Sequence, residues 1–232
     1  MKILKGWVLL AVAILVVPVY AQTQQKEEPA HKLIEFHMAL LKRGPKWSND
    51  AAQVLQQHGA YAQSLLESGQ AVIAGPVKDD AELVGVYIFR SKSADEAKSW
   101  VMNDPAVVAG QLLPEMHPWW SEDIMKKTST PGKTMTAYLA FLVRGDKWTP
   151  EKTPATEAIQ KAHLANIQRL ADMKKLVVAG PFGDNGRLRG IFVFRVESLE
   201  EARNLASTDP AVQAGRLALV IHPWVVPEGI LP

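Results

Sequence analysis

Two histidine–aspartate couples carry the spacing most able to do chemistry: His58 precedes Asp104 by the same interval as His163 precedes Asp209. An imidazole titrates near neutrality and moves a proton in either direction. A carboxylate on its second nitrogen fixes the tautomer and stabilises the imidazolium. Such a couple suits acid/base chemistry. A plainer reading of each residue stands beside it. A histidine on a helix face can be a partly buried side chain satisfied by a backbone carbonyl. An aspartate followed by proline and small residues can cap a short helical turn with its carboxylate. Capping and catalysis can coexist in one residue.

The interval recurs because the sequence is duplicated. Asp104-Pro105-Ala106-Val107, Ala109-Gly110 and His117-Pro118-Trp119 return as Asp209-Pro210-Ala211-Val212, Ala214-Gly215 and His222-Pro223-Trp224. Without a gap back to His58 and His163, roughly 26 of the 62 aligned positions are identical, far above chance for unrelated segments. Arg43, Gly44 and Trp47 match Arg144, Gly145 and Trp148 only at a shorter offset. About four extra residues therefore fall in the second copy, among Thr149 to Gln160.

Other polar and aromatic residues repeat as well. His117 and His222 stand beside proline and tryptophan in predicted strands. With Trp119 and Trp224 they read as core or pocket lining rather than as catalysts. Arg90 and Arg195 close strands and could clamp an anionic substrate, or simply be solvated on the surface. A metal site using His58 and His117 needs a third ligand; Glu115 offers one, but Val220 replaces it in the second copy. No metal and no cofactor are expected. No glycine-rich phosphate loop or serine-nucleophile elbow occurs.

The elements that must position these residues follow from periodicity. His31 to Arg43 and Thr134 to Arg144 read as first strands. In Asp50 to Ser68, the residues Val54, Leu55, His58, Tyr61, Ala62 and Leu65 form a helical stripe. Ile159, His163, Ile167 and Leu170 repeat it behind an N-cap at Thr153 and Pro154. Ala71 to Pro76 and Leu176 to Pro181 are strands ending in Ala-Gly-Pro, where glycine permits a tight turn and proline cannot donate to a ladder. Val84 to Arg90 and Gly190 to Arg195 are β-branched and aromatic strands, with turn chemistry at Asp184-Asn185-Gly186. Ser93 with Glu96 and Ser198 with Glu201 read as capping boxes, each glutamate reaching back to its serine amide. Leu112 to Trp119 and Leu217 to Trp224 complete the copies as strands. Each copy is βαββαβ, ferredoxin-like and α+β. Two antiparallel sheets from one chain can cover each other as an intrachain α+β barrel, a monomer with an internal pseudo-dimer.

Composition bounds the function. The chain has 232 residues and is 47% hydrophobic, enough for a sizeable core. It has no cysteine, which excludes a disulfide framework and a thiol nucleophile. Lys2 and Lys5, the apolar run Trp7 to Val17 and Val19-Tyr20-Ala21 read as a signal peptide over residues 1–21, too short an apolar run for a comfortable membrane span. Cleavage after Ala21 and export to the periplasm or beyond the cell are the expectation, with a retained amino-terminal anchor as the alternative. The formal charge is +2, and removing the two signal lysines balances it, so nothing favours nucleic acid. Residues 22–30 read as a spacer, 31–120 as the first repeat, 121–133 as a linker with a Thr-Pro-Gly turn, and 134–228 as the second repeat.

The helix-borne His58 and His163, the two Ala-Gly-Pro strand ends, Ser198 to Ala202 with its looser copy Ser93 to Ala97, and the two Asp-Pro segments before Pro-Trp together resemble the YCII-related (YciI-like) family. The resemblance covers almost all of the chain after the signal. It implies a dimeric α+β barrel with a His-Asp dyad; some relatives are dehydrochlorinases or isomerases acting on small ring compounds. The chain departs from the family pattern in its two copies, its signal peptide and the histidine before each Pro-Trp. The expected function is cofactor-free acid/base chemistry, of lyase or isomerase type, on a small organic molecule at His58/Asp104 and His163/Asp209. The alternatives are a non-catalytic small-ligand binding module and a structural or interaction protein.

Overall fold

The computed structural model describes residues 32–48, 50–79, 82–126 and 132–232. The residues read as a signal peptide and spacer, His31 of the expected first strand, and most of the Thr-Pro-Gly linker turn lie outside the described residues. Residues 32–232 form one compact unit. Its elements are β1 (Leu33–Arg43), α1 (Ala52–Ser68), β2 (Ala71–Pro76), β3 (Leu83–Phe89), α2 (Ala94–Met102), α3 (Pro105–Val108) and β4 (Leu112–Glu122), then β5 (Thr134–Arg144), α4 (Pro154–Asp172), β6 (Leu176–Pro181), β7 (Leu188–Phe194), α5 (Leu199–Ala206), α6 (Pro210–Gln213) and β8 (Leu217–Pro227). Each repeat forms a four-stranded antiparallel sheet, ordered β2-β3-β1-β4 and β6-β7-β5-β8.

Strand alternation divides the apolar residues between two sides. Phe36, Met38, Leu40, Val86, Ile88 and Trp119 of one sheet meet Leu139, Phe141, Ile191, Val193 and Trp224 of the other in a shared core. The intervening residues Leu41, Tyr87 and Phe89 pack under Leu65, Ala97 and Val101 of the helices. Leu142, Phe192 and Phe194 do the same under Leu170, Ala202 and Ala206. Both faces of the central strands are thus buried, which explains why β1 and β5 read as nearly continuous apolar runs. The two-sheet barrel is the expected α+β architecture.

Local expectations are refined in several places. The glycines of Ala-Gly-Pro lie within β2 and β6 and make no tight turn. A Cβ on Gly75 would sit 1.9 Å from the Val225 carbonyl oxygen, and one on Gly180 would sit 1.8 Å from that of Trp120. Close approach of the other repeat's last strand is what these positions require. Ser93 and Ser198 do accept from the Glu96 and Glu201 amides, but the glutamates accept from the amides of Lys92 and Glu197, one residue before the serines. Each Asp-Pro segment forms the short capped helix expected of it, four residues long, before the last strand. β4 also continues to Glu122, beyond the Trp119 end read for the strand, and Met125, Ile230 and Leu231 close one end of the core. In the second repeat Thr153 caps α4 with Pro154 in the first turn, and α4 has 19 residues against 17 in α1. The extra residues therefore lengthen both the Trp148–Thr153 connection and the helix.

Replacing Gly75 or Gly180 by alanine should destabilise the protein by about 1–3 kcal/mol or more, because a backbone oxygen has to move. Gly59→Ala on α1, where a Cβ meets nothing within 4 Å, should instead stabilise by about 0.5–1 kcal/mol. Urea unfolding of the three variants checks this, and equal midpoints for Gly180→Ala and wild type would refute the close-approach role.

Candidate functional site

Both histidine–aspartate couples form. His58 Nδ1 lies 2.8 Å from Asp104 Oδ2 and 3.0 Å from Oδ1. His163 Nδ1 lies 2.6 Å from Asp209 Oδ2. The carboxylates are fully buried, and each also caps its four-residue helix. Asp104 Oδ1 accepts from the Ala106 amide at 2.9 Å, and Asp209 Oδ1 from the Ala211 amide at 2.8 Å. In Asp209 one oxygen thus holds backbone while the other faces imidazole, whereas His58 Nδ1 bridges both Asp104 oxygens, of which Oδ1 also holds the Ala106 amide. Because a carboxylate accepts, Nδ1 carries the proton of the neutral ring, and Nε2 is left as the proton-accepting atom.

The couples differ in their surroundings. In the first repeat the Tyr87 hydroxyl donates to Asp104 Oδ2 at 2.8 Å, and its ring stacks on His58. Burial and the Asp104 charge push the Tyr87 phenol far above its ordinary range. In the second repeat Phe192 takes that place and stacks on His163 without a hydroxyl. His163 lines an open cleft of about 840 Å³ between α4 and the sheet. Its lining includes the apolar Leu142, Ile167 and Phe192 together with Trp148, Arg189 and Arg216. Thr149, Pro150, Glu151 and Lys152, in the region of the extra residues, border it as well.

The remaining sequence candidates lie elsewhere. Trp119 and Trp224 are fully buried between the sheets, donating Nε1–H to Gly180 O at 3.1 Å and Gly75 O at 3.0 Å. Strand alternation places them on the face opposite the His58 and His163 helices. His117 and His222 share that inward face and join the repeats reciprocally. His117 Nδ1 meets Asp184 Oδ2 at 2.5 Å, and His222 Nδ1 meets Asp79 Oδ2 at 2.6 Å. Asp79 and Asp184 match in the duplication, and that identity is the signal by which these cross-repeat pairs could have been found; the turn reading of Asp184 hid it. Asp184 also serves the turn, accepting from the Gly186 amide. Tyr87 carries a weaker sequence signal, since only its alternation on β3 points toward His58.

Arg90 pairs with Asp123 and borders a small recess of about 110 Å³ with Leu66, Met125 and Ile230. Arg195 donates to the Pro232 carbonyl at 2.6 Å. Neither borders the His163 cleft. Glu115 does meet His117, at 3.0 Å, but its other partner is Lys42 at 2.6 Å, and His58 is engaged by Asp104. Among the described residues no group of three or more His, Cys, Asp or Glu side chains is arranged to hold a metal ion.

The fold and the buried carboxylate–imidazole pairs define a tandem α+β barrel with one pair per repeat. Its sequence matches the YCII-related domain over residues 22–113 and again over 140–224, and the chain belongs to that family. Over 90 residues it is 32% identical to the uncharacterized protein YjpA of Bacillus subtilis, a span of 39% of this chain and 95% of that protein. The fold is similar to a chlorite dismutase from Candidatus Nitrospira defluvii, with TM-score 0.55 and 11% identity over 84% of this chain and 92% of that one. It is similar also to a heme-binding protein from Thermus thermophilus, with TM-score 0.50 and 15% identity over 83% and 92% of the respective chains. At such identities the likeness concerns the fold.

Burial opposes ionisation of Asp184, but the bonds from His117 and the Gly186 amide outweigh it and hold the carboxyl below its ordinary value of 3.8. A depressed folded-state value adds stability above pH 3.8 that disappears as pH falls through the lowered value. Wild type should therefore lose melting temperature more steeply than D184N on acidification below about pH 4. Parallel melting curves for the two proteins would refute this contribution.

Proposed function

We propose that this protein is a cofactor-free acid/base enzyme, of lyase or isomerase type, acting on a small organic molecule in the His163 cleft. The observation that carries the reading is the 2.6 Å His163–Asp209 contact beside a cleft of about 840 Å³. In this reading His163 Nε2 removes a proton from substrate carbon or returns one, while Asp209 holds the ring and offsets its charge. His58 and Asp104 perform the same role in the first repeat, with Tyr87 on the carboxylate. Such a base contributes about 10²–10⁴-fold to rate.

The test is a screen of cyclic ketones and halogenated hydroquinones, following exchange of carbon-bound protons into heavy water and release of halide. For a compound turned over, His163→Gln should lower kcat by about 100-fold or more. Asp209→Asn should lower it too, because its amide oxygen keeps the Ala211 bond while its amide nitrogen cannot accept the His163 Nδ1 proton. Undiminished turnover in the His58→Gln/His163→Gln double variant would falsify the acid/base reading. A ligand bound saturably and recovered unchanged would establish the second reading, a small-molecule binding module, which the apolar wall and the Trp148 ring favour.

We further propose that residues 1–21 direct export, on the strength of Lys2, Lys5, the apolar run and Val19-Tyr20-Ala21. Mass spectrometry of protein expressed in a bacterial host should find Gln22 at the amino terminus in the extracytoplasmic fraction. An intact Met1 in the cytosol would overturn this.

A further inference from the structure

The cleft beside His163 carries a cationic wall that the first repeat lacks. Arg189 lies at a bulge of β7, where the pairing with β5 passes from Gly190 to Leu188 and skips it. A bulge re-aims a side chain without ending the strand. The guanidinium stands 5.6 Å from the Trp148 ring centre, and Arg144 covers the same ring at 3.9 Å. Arg189 Nη1 is buried with no hydrogen-bond partner. Burial and the Arg144 charge push the Arg189 guanidinium below its ordinary value, only partly offset by Asp184. Two cations at one ring, one of them with a buried unmet donor, are costly, and an anion in the cleft that Arg189 borders offsets the repulsion.

The corresponding bulge in the first repeat skips Val84, and Gln111 corresponds to Arg216. Only the Arg43–Trp47 stack is kept there. Arg216 donates to Thr149 at 2.8 and 3.0 Å, bracing the connection that borders the cleft. Glu151 and Glu157 also border the cleft and disfavour a polyanion there. Leu142, Ile167 and Phe192 supply an apolar surface facing the same space.

We propose that the second-repeat cleft selects flat apolar molecules bearing a single carboxylate, with Arg189 as the anion-recognising residue, and that the first repeat does not share this specificity. The substrate class so named rests on the acid/base reading of the same cleft. A planar guanidinium matches a carboxylate through paired N–H donors, and the apolar wall takes the ring.

The test uses the full chain, calorimetry, and two probes of like shape, 2-naphthoate and its uncharged amide, 2-naphthamide. Wild type should bind the carboxylate about tenfold or more tighter than the amide. Arg189→Met should remove that preference while leaving the amide affinity unchanged, and Val84→Met in the first repeat should alter neither. Should Arg189→Met not fold, Arg189→Lys decides, because it keeps the charge and loses the fork: naphthoate binding falls severalfold with the amide unaffected. Equal binding of the two probes to wild type, binding of neither, or an undiminished naphthoate preference in the Arg189 variant that folds overturns the proposal. Binding is read without turnover, so this result is independent of whether His163→Gln abolishes catalysis.

Discussion

The structure depends on the approach of each repeat's last strand to the Ala-Gly-Pro strand of the other. Trp119 and Trp224 are buried without exposure, and a buried indole N–H left unpaired is expensive. Each finds a backbone carbonyl, that of Gly180 or Gly75, on the opposite repeat. The same glycines lack the Cβ that would collide with the approaching strand. Proton donation, steric permission and burial of the sheet face therefore converge on one seam, used twice. With the seam in place, the Lys78 and Gly183 amides donate to the Pro223 and Pro118 carbonyls, and Asp79 and Asp184 come within reach of His222 and His117.

The helix-covered faces are left to hold the other two histidines. The geometry there rests on a division of labour within one carboxylate. An aspartate N-cap is fixed by the amides it accepts, which makes it a rigid platform, and its second oxygen then orients an imidazole on a neighbouring helix. Asp209 performs both tasks with no exposure to solvent. The local structure that a capping argument requires is thus the support that a positioned imidazole also requires.

Duplication within one chain allows the two sites to differ. The Tyr87 hydroxyl engages Asp104 in one repeat, where Phe192 leaves Asp209 to His163 and the backbone amides in the other. The longer connection before α4 and the Val84-to-Arg189 difference alter the space beside His163 further. A homodimer made of one repeat would carry such changes at both sites.

The sequence alone determined the repeat, the strand and helix order, the helix caps and the coincidence of each aspartate with a short helix, because these follow from local periodicity and from residues near one another along the chain. The family features, the helix-borne histidines and the Asp-Pro segments, were legible for the same reason. Tertiary structure alone decided what glycine does in Ala-Gly-Pro, which carboxylates His117 and His222 meet, and that Trp119 and Trp224 face the shared core away from the cleft. Those outcomes turn on sheet register and on the contact between repeats. A one-residue change of register reverses every side chain in a strand, and a contact across the duplication has no short-range signature. The cleft belongs to the same category: the extra residues near Thr149 were visible in the alignment of the copies, but only packing of α4 over Phe192 places them, Arg189 and His163 around one space.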